Sequence, residues 1–399
     1  MFLPDNYEFY CPVKINSGNR ALEHLPIELN ALNSRNPFII TSKDVAGKEA
    51  VQKIVNAFKN SGITIGIFDA VPDVPGMKCI EEISNIYRNK EHDSIVALGS
   101  GSVVNVAKAV NIAVSYNIQG LKDLAGDDLI TDPLGPFVLV PTLSGTGYET
   151  SRFAKIEDLT FSSHFLMPDT VVIDPRIIKA KDSQIVVATV MAALTHAVEA
   201  YTCQAKNPLT DMYAYAAIQY IVENLVNVVK KSRNREGRMA LANATAMAGC
   251  VLSRTTLGMV HTLGEVVGNM FDIPHGICMG VLLPYGLEYN TIKNDFHTPD
   301  LLLPLAGFDE YARTSEKLRA RVAINMIIQM QHDLYDATKG EIPRTLEEAE
   351  VPRYMLQDIA ERAVSLGSAE FDFEGYLTVL EHAWEDKPIV GLEDYRINP

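Results

Sequence analysis

Short β-branched runs alternate with helical patterns through roughly the first 180 residues, and this alternation constrains the fold more than any other feature. "PFIITS" (37–42), "ITIGIF" (63–68), "SIVALG" (94–99), "FVLVPT" (137–142) and "TVVIDP" (170–175) read as buried strands. Between them, "AGKEAVQKIVNAFKNSG" and "VVNVAKAVNIAVSY" carry the apolar spacing of helices. Strands alternating with helices form a largely parallel sheet covered on both faces. Further along, the strand signals nearly vanish. Helical patterns occupy 183–204, 209–231, 236–256, 258–270, 276–290, 314–336, 353–365 and 373–385. The expected fold is therefore an α/β domain over 1–178 followed by an all-helical domain over 179–399. A ligand is expected in a cleft between the two, at the carboxyl ends of the strands.

With 399 residues, 47% of them hydrophobic, the chain can bury more than one core. A formal net charge of −15 argues against nucleic acid or an anionic membrane as the main partner. The five cysteines are scattered without C-x-x-C spacing, as reduced thiols would be. "MFLPDNYEFY" has no basic segment followed by an apolar one, so no signal peptide is expected. A membrane span is not expected either, since the longest apolar run is broken by His196 and Glu199. The expected location is the cytoplasm.

Two glycine-rich segments leave strands of the α/β half. "SIVALG" runs into Gly99, Ser100, Gly101 and Ser102 and then into a helical pattern, which exposes backbone N–H groups at a helix N-terminus and suits a pyrophosphate. "VPTLSGTGYE" places Thr142, Leu143, Ser144 and Thr146 in a second loop of this kind. Either loop alone reads equally well as a plain strand-to-helix turn. Together they favour a nucleotide.

Of nine histidines, six stand alone in the sequence. His196 interrupts the apolar run "IVVATVMAALTHAVEAY", and His261 precedes His275 by fourteen residues in "HTLGEVVGNMFDIPHG". Three imidazoles on apolar helical segments suit a metal such as Zn or Fe, or else are three independently hydrogen-bonded core histidines.

"GSGSVVNVAK", "PTLSGTGYE", "ALTHAVEAYTCQAKNPLTD", "HTLGEVVGNMFDIPHG" and the terminal "EHAW" together resemble the iron-containing alcohol dehydrogenase family, in order and over nearly the whole chain. The resemblance implies a dehydroquinate synthase-like fold, with NAD(P) bound by the α/β domain and a divalent metal, Fe2+ or Zn2+, bound by the helical domain. It assigns the pyrophosphate loop to Gly99–Ser102 and the nicotinamide and ribose loop to Thr142, Leu143, Ser144 and Thr146. The metal histidines of the family fall on His196, His261 and His275. Members are usually dimers or larger, so a homodimer or higher homo-oligomer is expected.

Several positions depart from the family pattern. Ala192 replaces an aspartate ligand one helical turn before His196. Its loss should weaken metal binding, most of all for Fe2+, which ranks low in the affinity series. Glu265 replaces a histidine thought to face substrate; one turn after His261, it is a candidate replacement ligand or general base. Glu199, one turn after His196, is either a second such candidate or the buried partner of a neighbouring helix. Ser42, followed by Lys43, stands where an acid usually meets the adenosine ribose, which favours NADP over NAD. Asn105 and Asp158 replace an aspartate and a lysine of the cofactor region. The expected activity is reversible hydride transfer between a small alcohol and NAD(P)+. A second reading stands beside it: a metal-deficient or inactive homologue that binds a nucleotide or sugar phosphate, or a dehydroquinate-synthase-like lyase.

Overall fold

The computed structural model describes residues 4–46, 49–142, 145, 147–178, 182–231, 233–252, 258–293, 297–367 and 370–389. The chain divides into two compact units, Tyr10–Lys179 and Ala180–Pro399, the latter joined by Met1–Phe9. Residues 4–9, expected with the α/β half, thus belong to the helical unit, where Phe9 stacks on Tyr213 at 5.6 Å.

The strands of the α/β unit are β1 (Lys14–Ser17), β2 (Pro37–Ser42), β3 (Gly66–Val71), β4 (Ser94–Leu98), β5 (Gly126–Asp127), β6 (Phe137–Val140), β7 (Phe153–Ile156), β8 (Leu159–Ser162) and β9 (Thr170–Ile173). Its helices are α1 (Leu25–Ala31), α2 (Lys43–Ala46), α3 (Glu49–Ala57), α4 (Met77–Asn89) and α5 (Ser102–Ser115). Six strands form one sheet in the order β1-β9-β6-β4-β2-β3, every neighbouring pair parallel. Residues of β4, β6 and β9 are buried on both faces, which explains why their sequences are continuous apolar runs rather than alternating ones. A small second sheet, β5-β8-β7, contains the antiparallel hairpin β7–β8.

The helical unit comprises α6 (Ser183–Thr202), α7 (Pro208–Lys230), α8 (Arg235–Leu252), α9 (Met259–Phe271), α10 (His275–Lys293), α11 (Leu302–Arg313), α12 (Glu316–Ala337), α13 (Leu356–Leu366) and α14 (Phe373–Glu385). Starts are set by local chemistry. Asp182 caps α6 by accepting from the Gln184 amide at 2.8 Å, and Asn207 caps α7 from the Thr210 amide at 3.0 Å, with Pro208 at the first helical position. By length and composition α6 could cross a membrane. Here it is the core helix, packed against α7, α8, α9 and α10, which is why nearly all of it is apolar.

Candidate active site

In the α/β unit the chain runs from β2 outward to β3, then returns to β4 on the other side of β2 and continues to β6 and β9. The order of strands reverses between β2 and β4, and a crevice opens at the carboxyl ends of strands at such a switch point. Thr41 pairs with Leu98 across β2 and β4, and its Oγ1 donates to the Leu98 carbonyl at 2.7 Å. The Gly99 amide donates to the Val140 carbonyl at 3.1 Å. Ser42, Gly99–Ser102 and Thr142 therefore leave the ends of three adjacent strands side by side.

Gly101 is the N-cap of α5, with φ 55°, and a Cβ built on it would meet nothing within 4 Å. No acidic side chain occupies the first turn of α5, so the dipole of the helix start favours an anion there. Gly99 is needed for a different reason: its Cβ would lie 2.7 Å from that of Val103. Ser102 Oγ donates to the Asp73 carbonyl at 2.6 Å, tying the loop to the turn after β3. Lys43 and Asp44 open α2 as neighbouring exposed charges just past Ser42. Leu143, Ser144 and Thr146 lie outside the described residues.

Lys108, two turns into α5, was not singled out by sequence reasoning. Its ammonium is fully buried and donates to the carbonyls of Tyr148 at 2.9 Å, Ser151 at 2.8 Å and Phe153 at 2.8 Å. These carbonyls lie at the end of the second glycine segment and just beyond it. Burial pushes the lysine down to about 7, against the pull of the Glu149 carboxylate. Glu149 itself accepts from the Gly147 amide at 2.8 Å, and Asn105 Oδ1 accepts from the Lys155 amide at 3.2 Å. One helix thus carries the first loop at its start and anchors the segment after the second along its side. A lone lysine in the apolar run "VVNVAKAVNIAV" was the available signal, of the same kind that drew attention to His196.

In the helical unit, His196 on α6 and His261 on α9 are buried and face one another, Nε2 to Nδ1, at 2.9 Å. Bonds of about 2.1 Å from one ion put neighbouring ligand nitrogens roughly 3.0–3.4 Å apart, slightly wider than this hydrogen-bonded pair, so a small separation of the two rings would bring them to adjacent ligand positions. Ala192, buried one turn before His196, adds no carboxylate. His275 is the first residue of α10. Its Nε2 lies 3.1 Å from Asn269 Oδ1 and its Nδ1 3.6 Å from Glu265 Oε1. Gly268 makes room for this ring, since a Cβ there would lie 2.3 Å from His275 Cδ2. The sequence candidates are thus brought together as two pairs, His196 with His261 and His275 with Glu265. Among the described residues, no three His, Cys, Asp or Glu side chains converge as a set that could hold a metal.

Glu199 resolves into the buried partner of a neighbouring helix. Its carboxylate accepts from the Val260 amide at 2.7 Å and the His261 amide at 3.4 Å, at the start of α9. Burial pushes this carboxyl up to about 8, and the two amides pull it back.

A parallel sheet with the Gly99–Ser102 loop at its switch point, together with a helical unit presenting paired imidazoles, is the kind of framework that dinucleotide-dependent enzymes use. Comparison with known proteins narrows the class. Residues 12–175 match the iron-containing alcohol dehydrogenase family, and residues 186–374 match its C-terminal part. A 1,3-propanediol dehydrogenase of Klebsiella pneumoniae is 30% identical over 376 residues, covering 92% of this chain and 93% of that one. The crystal structure of a 1,3-propanediol oxidoreductase superposes with a TM-score of 0.86 at 28% identity, over 95% of this chain and 100% of the other. An alcohol dehydrogenase from Oenococcus oeni gives 0.85 at 26% identity, over 95% and 100%. The chain belongs to the iron-containing alcohol dehydrogenase family, and its activity is that of an NAD(P)-dependent oxidoreductase acting on CH–OH groups.

Proposed function

We propose that this enzyme interconverts a short primary alcohol, of the size of 1,3-propanediol, and its aldehyde, with NADP(H) preferred to NAD(H). The observation that carries the cofactor half is the emergence of Ser42, Gly99–Ser102 and Thr142 from adjacent strand ends at the switch point. In this reading the amides at the start of α5 bind the pyrophosphate and Gly101 allows its close approach. Thr142, with Leu143, Ser144 and Thr146, orients the nicotinamide and ribose. Ser42 and Lys43 leave space and charge for a 2′-phosphate. The relatives named for 1,3-propanediol support the substrate class.

His196 and His261 would supply two ligands to a divalent cation, Fe2+ or Zn2+, while His275, the third histidine of the family pattern, stands with Glu265. When bound, that cation supplies Lewis acidity to the substrate oxygen. Glu265 serves as the general base that takes the hydroxyl proton, with the His275 imidazole 3.6 Å from its carboxylate. The burial of His196 and His261 keeps water from competing at this place. The described cysteines form no disulfide, which supports a cytoplasmic enzyme, and a homodimer or higher homo-oligomer is the proposed assembly.

Aldehyde-dependent oxidation of NADPH and NADH, followed by nicotinamide absorbance over a series of short aldehydes, tests the reading. A higher kcat/KM with NADPH and with three- or four-carbon aldehydes is expected. Equal or better use of NADH would overturn the cofactor assignment, and turnover confined to long-chain or charged aldehydes would overturn the substrate class.

A further inference from the structure

One face of α6 reaches α9 twice, through side chains a single turn apart. His196 Nε2 meets the His261 ring at 2.9 Å, and the Glu199 carboxylate accepts from the Val260 amide at 2.7 Å and the His261 amide at 3.4 Å. The second contact holds the backbone of the very residue whose ring makes the first. Helix starts are ordinarily capped by the residue that precedes them. The N-cap of α9 is Gly258, which has no side chain and makes no cap hydrogen bond, so the role passes to a residue of another helix. Gly258 also admits the visitor: a Cβ there would lie 2.2 Å from the Glu199 carboxyl carbon. The backbone of Gly258, at φ −77° and ψ 175°, suits any residue, so the glycine is required by this approach and not by conformation.

We propose that Glu199 is a positioning residue: by capping α9 it fixes the His261 imidazole against His196, in the arrangement these two rings need to hold a divalent cation. The inference rests on the assignment of His196 and His261 as metal ligands made above. Both Glu199 oxygens are turned to amides of α9, so the residue acts through His261 and is not itself a ligand. Groups that orient a metal-binding imidazole usually bond its second ring nitrogen. Here the same end is reached through the main chain.

Co2+ titration of the metal-depleted protein, read by its visible absorption bands, tests this. His196→Ala serves as the reference for the ligand assignment, and thermal melting checks that each variant folds. Glu199→Ala and Gly258→Ala are expected to weaken Co2+ binding by roughly 10–100-fold and to shift the bands. Glu199→Gln keeps an acceptor oxygen of the same reach and should restore much of the affinity. Gly258→Ala displaces the carboxylate without removing it, so it carries the test if Glu199→Ala fails to fold. Wild-type affinity and bands in both Glu199→Ala and Gly258→Ala, with binding lost in His196→Ala, would overturn the positioning role alone. Unchanged binding in His196→Ala would remove the ligand assignment and the proposal with it.

Discussion

Gly276→Ala should be the most damaging single-methyl change in the helical unit. A Cβ on Gly276 would lie 1.7 Å from the Ala188 carbonyl oxygen, 2.7 Å from its carbon and 3.1 Å from the Ala192 amide nitrogen. All three are main-chain atoms in the middle of α6. A side chain could rotate away; a hydrogen-bonded helix backbone in a close-packed core cannot. The contact is about 1.3 Å shorter than any real Cβ tolerates, so α10 must move bodily away from α6. Overpacking a core costs about 1–3 kcal/mol, occasionally more, and a clash with main chain belongs at the top of that range. For a unit of about 220 residues this lowers the melting temperature by roughly 6–12 °C. The movement also carries His275, the first residue of α10, and misplacing a reacting group by about 1 Å can cost roughly 100-fold in rate. Gly120→Ala is the control, because a Cβ there meets nothing within 4 Å. Melting followed by circular dichroism, together with kcat for NAD(P)H oxidation, gives the answer. A Gly276→Ala protein with the melting temperature and kcat of Gly120→Ala would refute the described approach of α10 to α6.

Three further outcomes follow from the α/β unit. Gly101→Ala places a methyl in the open space at the start of α5 and strains a φ of 55°, so it should cost about 1 kcal/mol of stability and weaken dinucleotide binding in calorimetric titration. Lys108→Met removes the ammonium that bridges the Tyr148, Ser151 and Phe153 carbonyls; NAD(P)H affinity should fall about tenfold or more, and hydrogen exchange in the segment after Gly147 should rise. Burial pushes the Asp174 carboxyl up, but bonds from Arg176 and nearby amides outweigh it, and Arg176 likewise holds Glu23 below its usual range. Folded carboxyls of this kind give up their protons before unfolded ones do, so their stabilisation is present above the ordinary carboxylate range and lost as pH falls through the folded values. Denaturant midpoints of Arg176→Met should therefore lie below wild type at pH near 7, with the gap closing between about pH 5 and 3.

Much of the α/β architecture was legible because β2, β4, β6 and β9 are buried on both faces and read as unbroken apolar runs. β3 begins at Gly66, three residues after the expected start, since "ITIGIF" satisfies a strand pattern in either register. The hairpin β7–β8 escaped notice because four-residue strands containing Lys155 and Thr160 lack a readable period. α11 was likewise unmarked, interrupted by Gly307 at φ 82°. At the candidate site, residue types were legible but partners were not. Spacing nominated His196, His261, His275 and Glu265; only the packing of α6, α9 and α10 determines that they meet as two pairs. Glu199 acts on main-chain amides of another helix, a role with no side-chain signature at the receiving end beyond the bareness of Gly258.

Hydride transfer itself can be observed without knowing the natural alcohol. 1,3-Propanediol deuterated at its carbinol carbons should be incubated with the metal-loaded enzyme and NADP+ or NAD+, and the reduced cofactor weighed by mass spectrometry. The account predicts a reduced nicotinamide carrying one deuterium per turnover, with the label lost in His196→Ala because turnover stops. Reduced cofactor free of deuterium, or undiminished labelling by His196→Ala, would contradict it.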